Sequence, residues 1–121
     1  MDINNPVVRL CIAGTQAEFA GRLDDARGLY AQAWEAAHND YEACIAAHYV
    51  ARFQATPEDG LRWNLEALER ARRVEDGSVE AFYPSLYLNL GRSHEALGNP
   101  AEARRYYGLA AGLGVVHQPD V

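Results

Sequence analysis

Four histidines, seventeen acids and two cysteines are the residues of this 121-residue chain most able to carry chemistry. Their spacing decides which chemistry is open. His94-Glu95 begins like the helical zinc-protease motif, in which two His one turn apart hold the metal and the Glu is the base. Gly98 stands where the second His would have to be, so the motif fails. His38, His48, His94 and His117 show no ligand spacing and read as structural or surface residues. The acid pairs Asp24-Asp25 and Glu58-Asp59 stand at helix starts, where negative charge offsets the helix dipole. General-acid work needs burial and opposed pKa values, which come from tertiary surroundings and not from spacing. No Ser, Thr or Cys has a recognisable nucleophile motif around it, and no Gly-rich loop follows a strand. The expectation is of no catalytic, cofactor-binding or metal-ligating residue.

Composition narrows the partners. The net charge of −6 disfavours a nucleic-acid surface. All 11 basic residues are Arg, and the densest group, Arg70, Arg72 and Arg73, reads as a solvated helix end whose cations suit the dipole. Arg104-Arg105 likewise read as exposed. Cys11 and Cys44 lie in apolar helical runs and read as buried free thiols, not a disulfide framework. No run of about 18 apolar residues predicts a membrane span, and the N-terminus lacks a signal-peptide pattern. A cytoplasmic protein is expected.

The elements that must position any site are helices. Asn5-Pro6 pairs a cap with a proline at the first helical position and predicts a helix to about Ala20. Gly21 ends it, and Asp24-Asp25 open the second helix with Ala26, Tyr30 and Ala33 as its packing stripe. Trp34 is expected to turn toward the next pair. After His38-Asn39-Asp40, a third helix is predicted over about 41–54, and Thr56-Pro57-Glu58-Asp59 starts a fourth. In the fourth, Glu66-Arg70 and Glu69-Arg73 are spaced to pair along one face. A fifth helix is expected over about 79–97, kinked if it begins before Pro84. Asn99-Pro100-Ala101-Glu102 reads as a capping box for the sixth, which Gly112 and Gly114 end.

The chain also repeats. A shift of 77 residues carries Gly14 onto Gly91, Glu18 onto Glu95, Gly21 onto Gly98, Ala26 onto Ala103, Arg27 onto Arg104, Tyr30 onto Tyr107 and Ala33 onto Ala110. Small residues let two helices approach and the aromatic fills the space between them, so the matches fall where a helix pair needs them. By the same register Ala47-His48 stands in the middle pair where Leu90-Gly91 stands in the third, and His48 is a departure from the small residue expected there.

In the third pair, Tyr87, Leu90, Gly91 and His94, followed by Ala103, Tyr107 and Ala110, resemble one tetratricopeptide repeat (TPR). The resemblance covers about residues 6–112. It implies an all-α fold, a right-handed α-solenoid of three helix-turn-helix pairs and six helices, in a single domain. The pairs fall at about 6–38, 40–75 and 79–112, with a tail over 113–121. It also implies a concave groove, lined by the first helix of each pair, that holds a peptide or helix of a partner protein. By register the groove takes Val8, Cys11, Ile12, Thr15 and Phe19 from the first pair. Ile45, Tyr49, Arg52 and Phe53 come from the second, and Leu88, Asn89 and Arg92 from the third. Thr15, Phe19, Tyr49, Arg52, Phe53, Asn89 and Arg92 are the binding candidates, Arg52 and Arg92 to pair acidic groups and the aromatics to supply apolar contact. For Phe19, Ile45 and Leu88, a role in the core stands beside the groove.

TPR proteins that grip a chaperone's terminal carboxylate use Lys and Asn on these helices. Cys11, Thr15, Ala46 and Ser85 stand at such places here, which argues against that subclass. A protein or peptide partner is expected, with no nucleic acid and no membrane. A ligand-sensing regulatory module and a small enzyme or enzyme subunit are the alternatives. The outer face of the last helix, with Tyr106, Leu109 and Leu113, is open to the tail or to another protein, a second copy included.

Overall fold

The computed structural model describes residues 2–114 and is all-helical there, with no strand. Six α-helices follow one another: α1 (Pro6–Phe19), α2 (Leu23–Ala36), α3 (Asp40–Val50), α4 (Pro57–Arg72), α5 (Tyr83–Ala96) and α6 (Pro100–Gly112). Single 3-10 turns, Ala51–Phe53 and Glu80–Phe82, precede α4 and α5. Val115–Val121, and with them most of the expected tail and His117, lie outside the described residues.

Local signals set most helix ends. Asn5 Oδ1 accepts from the Val7 and Val8 amides (2.8 and 3.2 Å), and Thr56 Oγ1 accepts from Asp59 N (3.1 Å). Each satisfies donors that a helix start leaves without a carbonyl. Gly21 follows α1 at φ 79°, in the left-handed region open to glycine. Glu66–Arg70 (2.8 Å) and Glu69–Arg73 (3.5 Å) pair along α4 as their spacing predicts.

Three expectations about helix ends and one about exposure need correction. The third helix stops at Val50, not Gln54. The chain tightens into a 3-10 turn, and Gln54 turns extended while its side-chain amide donates to Val50 O (3.0 Å). The fifth helix begins at Tyr83, so Pro84 sits in the first turn, where it has no amide to lose, and needs no kink. Asn99 forms no capping box. Its side-chain amide lies 3.3 Å from His94 Nδ1, and Glu102 pairs with Arg105 (3.0 Å). Tyr106 is not on an exposed face: it is buried, with its ring stacked on His94 and tilted against Tyr87. Leu109 and Leu113 are exposed as expected.

Within each pair the two helices pack on each other, and contacts of α2 with α3, α4 with α5 and α1 with α3 join the pairs. Trp34 of α2 does turn toward the second pair, edge-on to Trp63 of α4 at 4.9 Å. The largest core cluster, with Cys44, Leu68, Val79, Leu86, Leu90 and Tyr106, joins α3 to α6, and a second, with Val7, Val8, Cys11, Ala33 and Ile45, joins α1, α2 and α3. Burial pushes both thiols up to about 12, which holds Cys11 and Cys44 as unreactive thiols.

The 77-residue repeat has a steric basis. A Cβ added at Gly14 would fall within 2.9 Å of three Tyr30 ring atoms, and one at Gly91 within 2.9 Å of three Tyr107 ring atoms. Glycine is present so that each tyrosine ring can lie on the facing backbone. Counted from the helix starts, His48 holds the glycine place in the middle pair and Asn64 the tyrosine place. Both are buried.

Candidate functional site

A trough made of two adjoining cavities, with Glu18 and Arg52 in the walls of both, lies at the ends of α1, α3 and α5. Its first part, about 270 Å³, is lined by Thr15, Glu18, Phe19, Tyr49 and Arg52. Its second part, about 540 Å³, is lined by residues that include Arg52, Phe53, Asn64, Asn89, Arg92 and Ser93. Glu18 and Arg52 belong to both parts. Each of the seven candidate residues lines one or both of these adjoining cavities, although they are spread over 78 positions of sequence from Thr15 to Arg92. Of the other groove expectations, Val8, Cys11 and Ile45 are fully buried and belong to the core, whereas Phe19 is 90% exposed.

Each wall residue is held differently. Arg52 leaves the 3-10 turn after α3 and grips Glu18 of α1 with Nε and Nη2, both at 2.7 Å. Tyr30 Oη donates to the same carboxylate at 2.7 Å and lies 3.2 Å from Thr15 Oγ1. The Arg52 guanidinium holds the Glu18 carboxyl below the usual carboxylate range, with the Tyr30 hydroxyl adding to the effect. Arg52 is therefore not a vacant cation, as the sequence alone leaves it, but carries a carboxylate of its own chain. Tyr49 and Phe53 stack on the Tyr30 ring at 5.2 and 5.9 Å, which fixes both aromatics against the first pair.

The Glu18–Arg52 pair has a signed pH dependence. A carboxyl whose folded pKa is depressed adds stability above its unfolded pKa, about 4.3, and loses it as pH falls through the folded value. Arg52→Gln should destabilise the protein by about 1 kcal/mol at pH 7, since Arg52 is half exposed. The gap between parent and variant should close below about pH 4. Urea midpoints at pH 7 and pH 3.5 check this; an equal gap at both would remove the pair from the stability of the trough.

On the far wall, Asn89 Nδ2 donates to His48 Nδ1 at 3.2 Å. An amide nitrogen can only donate, so the neutral imidazole keeps its proton on Nε2. Burial, with the nearby Arg52 charge, lowers the His48 pKa to about 4, so at pH 7 the ring is neutral and accepts. Tyr49 and Phe82 pack against its faces at 5.2 and 4.7 Å. Asn64 donates through Nδ2 to Ser93 Oγ at 2.9 Å. Arg92 is exposed and donates to Asn89 Oδ1 at 3.4 Å. Sequence reasoning gave Glu18, Asn64 and Ser93 no place in the site. Two signals were available: Glu18 recurs as Glu95 in the repeat, and Asn64 falls at the tyrosine place of its pair.

Among the described residues no three His, Cys, Asp or Glu side chains converge to hold a metal ion. No helix among them is long and apolar enough to cross a membrane. The wall of the trough therefore offers amides, hydroxyls, two guanidiniums and open aromatic surface, a set suited to holding a ligand by hydrogen bonds and contact. No protein-family model, curated protein or solved structure matches the chain.

Proposed function

We propose that the chain is a TPR-like array, a right-handed α-solenoid of three helix pairs, that binds an extended peptide segment of a cytoplasmic partner protein in this trough. The observation that carries the reading is the convergence of Thr15, Phe19, Tyr49, Arg52, Phe53, Asn89 and Arg92 on one open trough. Phe19 supports it further: a phenyl ring left 90% exposed at the trough's rim is apolar area that a bound chain would cover. The Gly14–Tyr30 and Gly91–Tyr107 packing supports the pairwise repeat.

Selection of peptides from a displayed random library on the full chain tests the reading. Selected peptides should shift the amide resonances of Thr15, Phe19, Tyr49 and Asn89. Phe19→Ala, a change at an exposed site, should weaken them about tenfold or more without altering the fold. Failure to select any peptide, or shifts confined to other faces, would remove the trough as the binding surface.

A further inference from the structure

The second part of the trough has the makings of a specific pocket. In the outer pairs a tyrosine ring fills the space between the two helices of the pair; in the middle pair the equivalent side chain is Asn64, and it lines a pocket of about 540 Å³. Asn64 is only 7% exposed. Its Nδ2 is used by Ser93, and its Oδ1 is buried with no hydrogen-bond partner among the described residues. A buried carbonyl left without a donor costs about 1–3 kcal/mol, and buried acceptors in folded proteins are normally supplied with one. That carbonyl has no exposed surface, so what Asn64 gives the pocket is room, a small side chain where the outer pairs place a tyrosine ring.

Charge points the same way. Two cations line this pocket, Arg52 and Arg92, together with one acid, Glu18. Glu18 answers Arg52 with two contacts at 2.7 Å. Arg92 pairs with no carboxylate among the described residues, and its contact is the neutral Asn89 amide at 3.4 Å. Among the described residues one positive charge is thus unanswered on the trough of a chain whose net charge is −6. The Glu18–Arg52 pair also shows that a carboxylate is accommodated on this surface in bidentate form, the strong geometry for guanidinium.

We propose that this pocket takes the side-chain carboxylate of an Asp or Glu within an extended peptide, with Arg92 holding the carboxylate. The inference rests on the groove reading above and narrows its ligand to acidic peptides.

The probes are end-blocked heptapeptides, acetylated and amidated, so that a side chain carries the sole carboxylate. An acidic peptide selected on the full chain is compared by calorimetry with its Asn or Gln isostere. The acidic form should bind about tenfold tighter, and the difference should shrink as salt rises. Arg92→Gln, at an exposed site, should abolish the difference. Equal affinity for acid and isostere, or an acid preference that survives Arg92→Gln, overturns the proposal. If peptides bind through Phe19 with no acid preference, the groove reading stands and this inference falls. If no peptide of any sequence binds, both fall together.

Discussion

Gly14→Ala is expected to lower the free energy of unfolding by about 3 kcal/mol, the upper end for overpacking, and the melting temperature by about 10 °C or more. The added methyl would overlap the Tyr30 ring, and that ring has nowhere to retreat. Tyr30 is 1% exposed, its hydroxyl is held by Glu18 at 2.7 Å, and Tyr49 and Phe53 stack on it. Because these partners are the near wall of the trough, Gly14→Ala should also weaken peptide binding. Gly91→Ala meets Tyr107 in the same way but should cost less, about 2 kcal/mol, since Tyr107 is only half-buried and can yield. Gly28 is the control. It lies within α2 with nothing within 4 Å of its added Cβ, so Gly28→Ala should stabilise by about 0.5–1 kcal/mol. Urea unfolding followed by far-UV circular dichroism reads all three. A Gly14→Ala protein as stable as the parent would mean that Tyr30 does not lie on the α1 backbone.

Glu42→Ala should destabilise by about 3 kcal/mol, because hydrogen bonds to a charged group contribute about 1.5–3 kcal/mol each and two are lost from a buried site. Glu42 is 9% exposed. Its Oε2 accepts from Asn5 Nδ2 at 2.8 Å, and its Oε1 accepts from His38 N at 2.8 Å. Its own amide donates to Asn39 Oδ1 at 2.8 Å. One side chain thus steadies the cap of α1 and the entry to α3 together. Glu42→Gln should lie between parent and Ala, as one acceptor becomes a donor facing a donor. Hydrogen exchange supplies the local readout. The Val7, Val8 and His38 amides should exchange faster in Glu42→Ala, and unchanged exchange there would show that the Asn5 cap stands without Glu42.

Local chemistry accounts for what was legible beforehand. Asn5-Pro6 and Thr56-Pro57 mark α1 and α4 because a cap and a proline act within one turn of their own residues. The Gly14–Tyr30 and Gly91–Tyr107 contacts were legible because a repeated steric need leaves the same two residue types at the same spacing. The misreadings were also local signals, overruled by other contacts made by the same side chains. Asn99 has the composition of a cap, but its side chain goes to His94. Tyr106, spaced as an outward residue on α6, is covered by His94 and Tyr87 from α5.

The TPR resemblance named seven candidates for one face; the sequence by itself determined the all-helical class, the six helices and most of their starts. Those follow from periodicity, capping and repetition, which act over a few residues or recur at a fixed interval. Tertiary structure alone decided how that face is charged and where it opens. Glu18 meets Arg52 across 34 positions of chain, Asn64 meets Ser93 across 29, and His48 meets Asn89 across 41. No local rule specifies such partners, because each is chosen by how helix pairs settle against one another. That choice gives Arg52 a carboxylate and leaves Arg92 with none among the described residues, so the selectivity proposed for the trough was decided by packing.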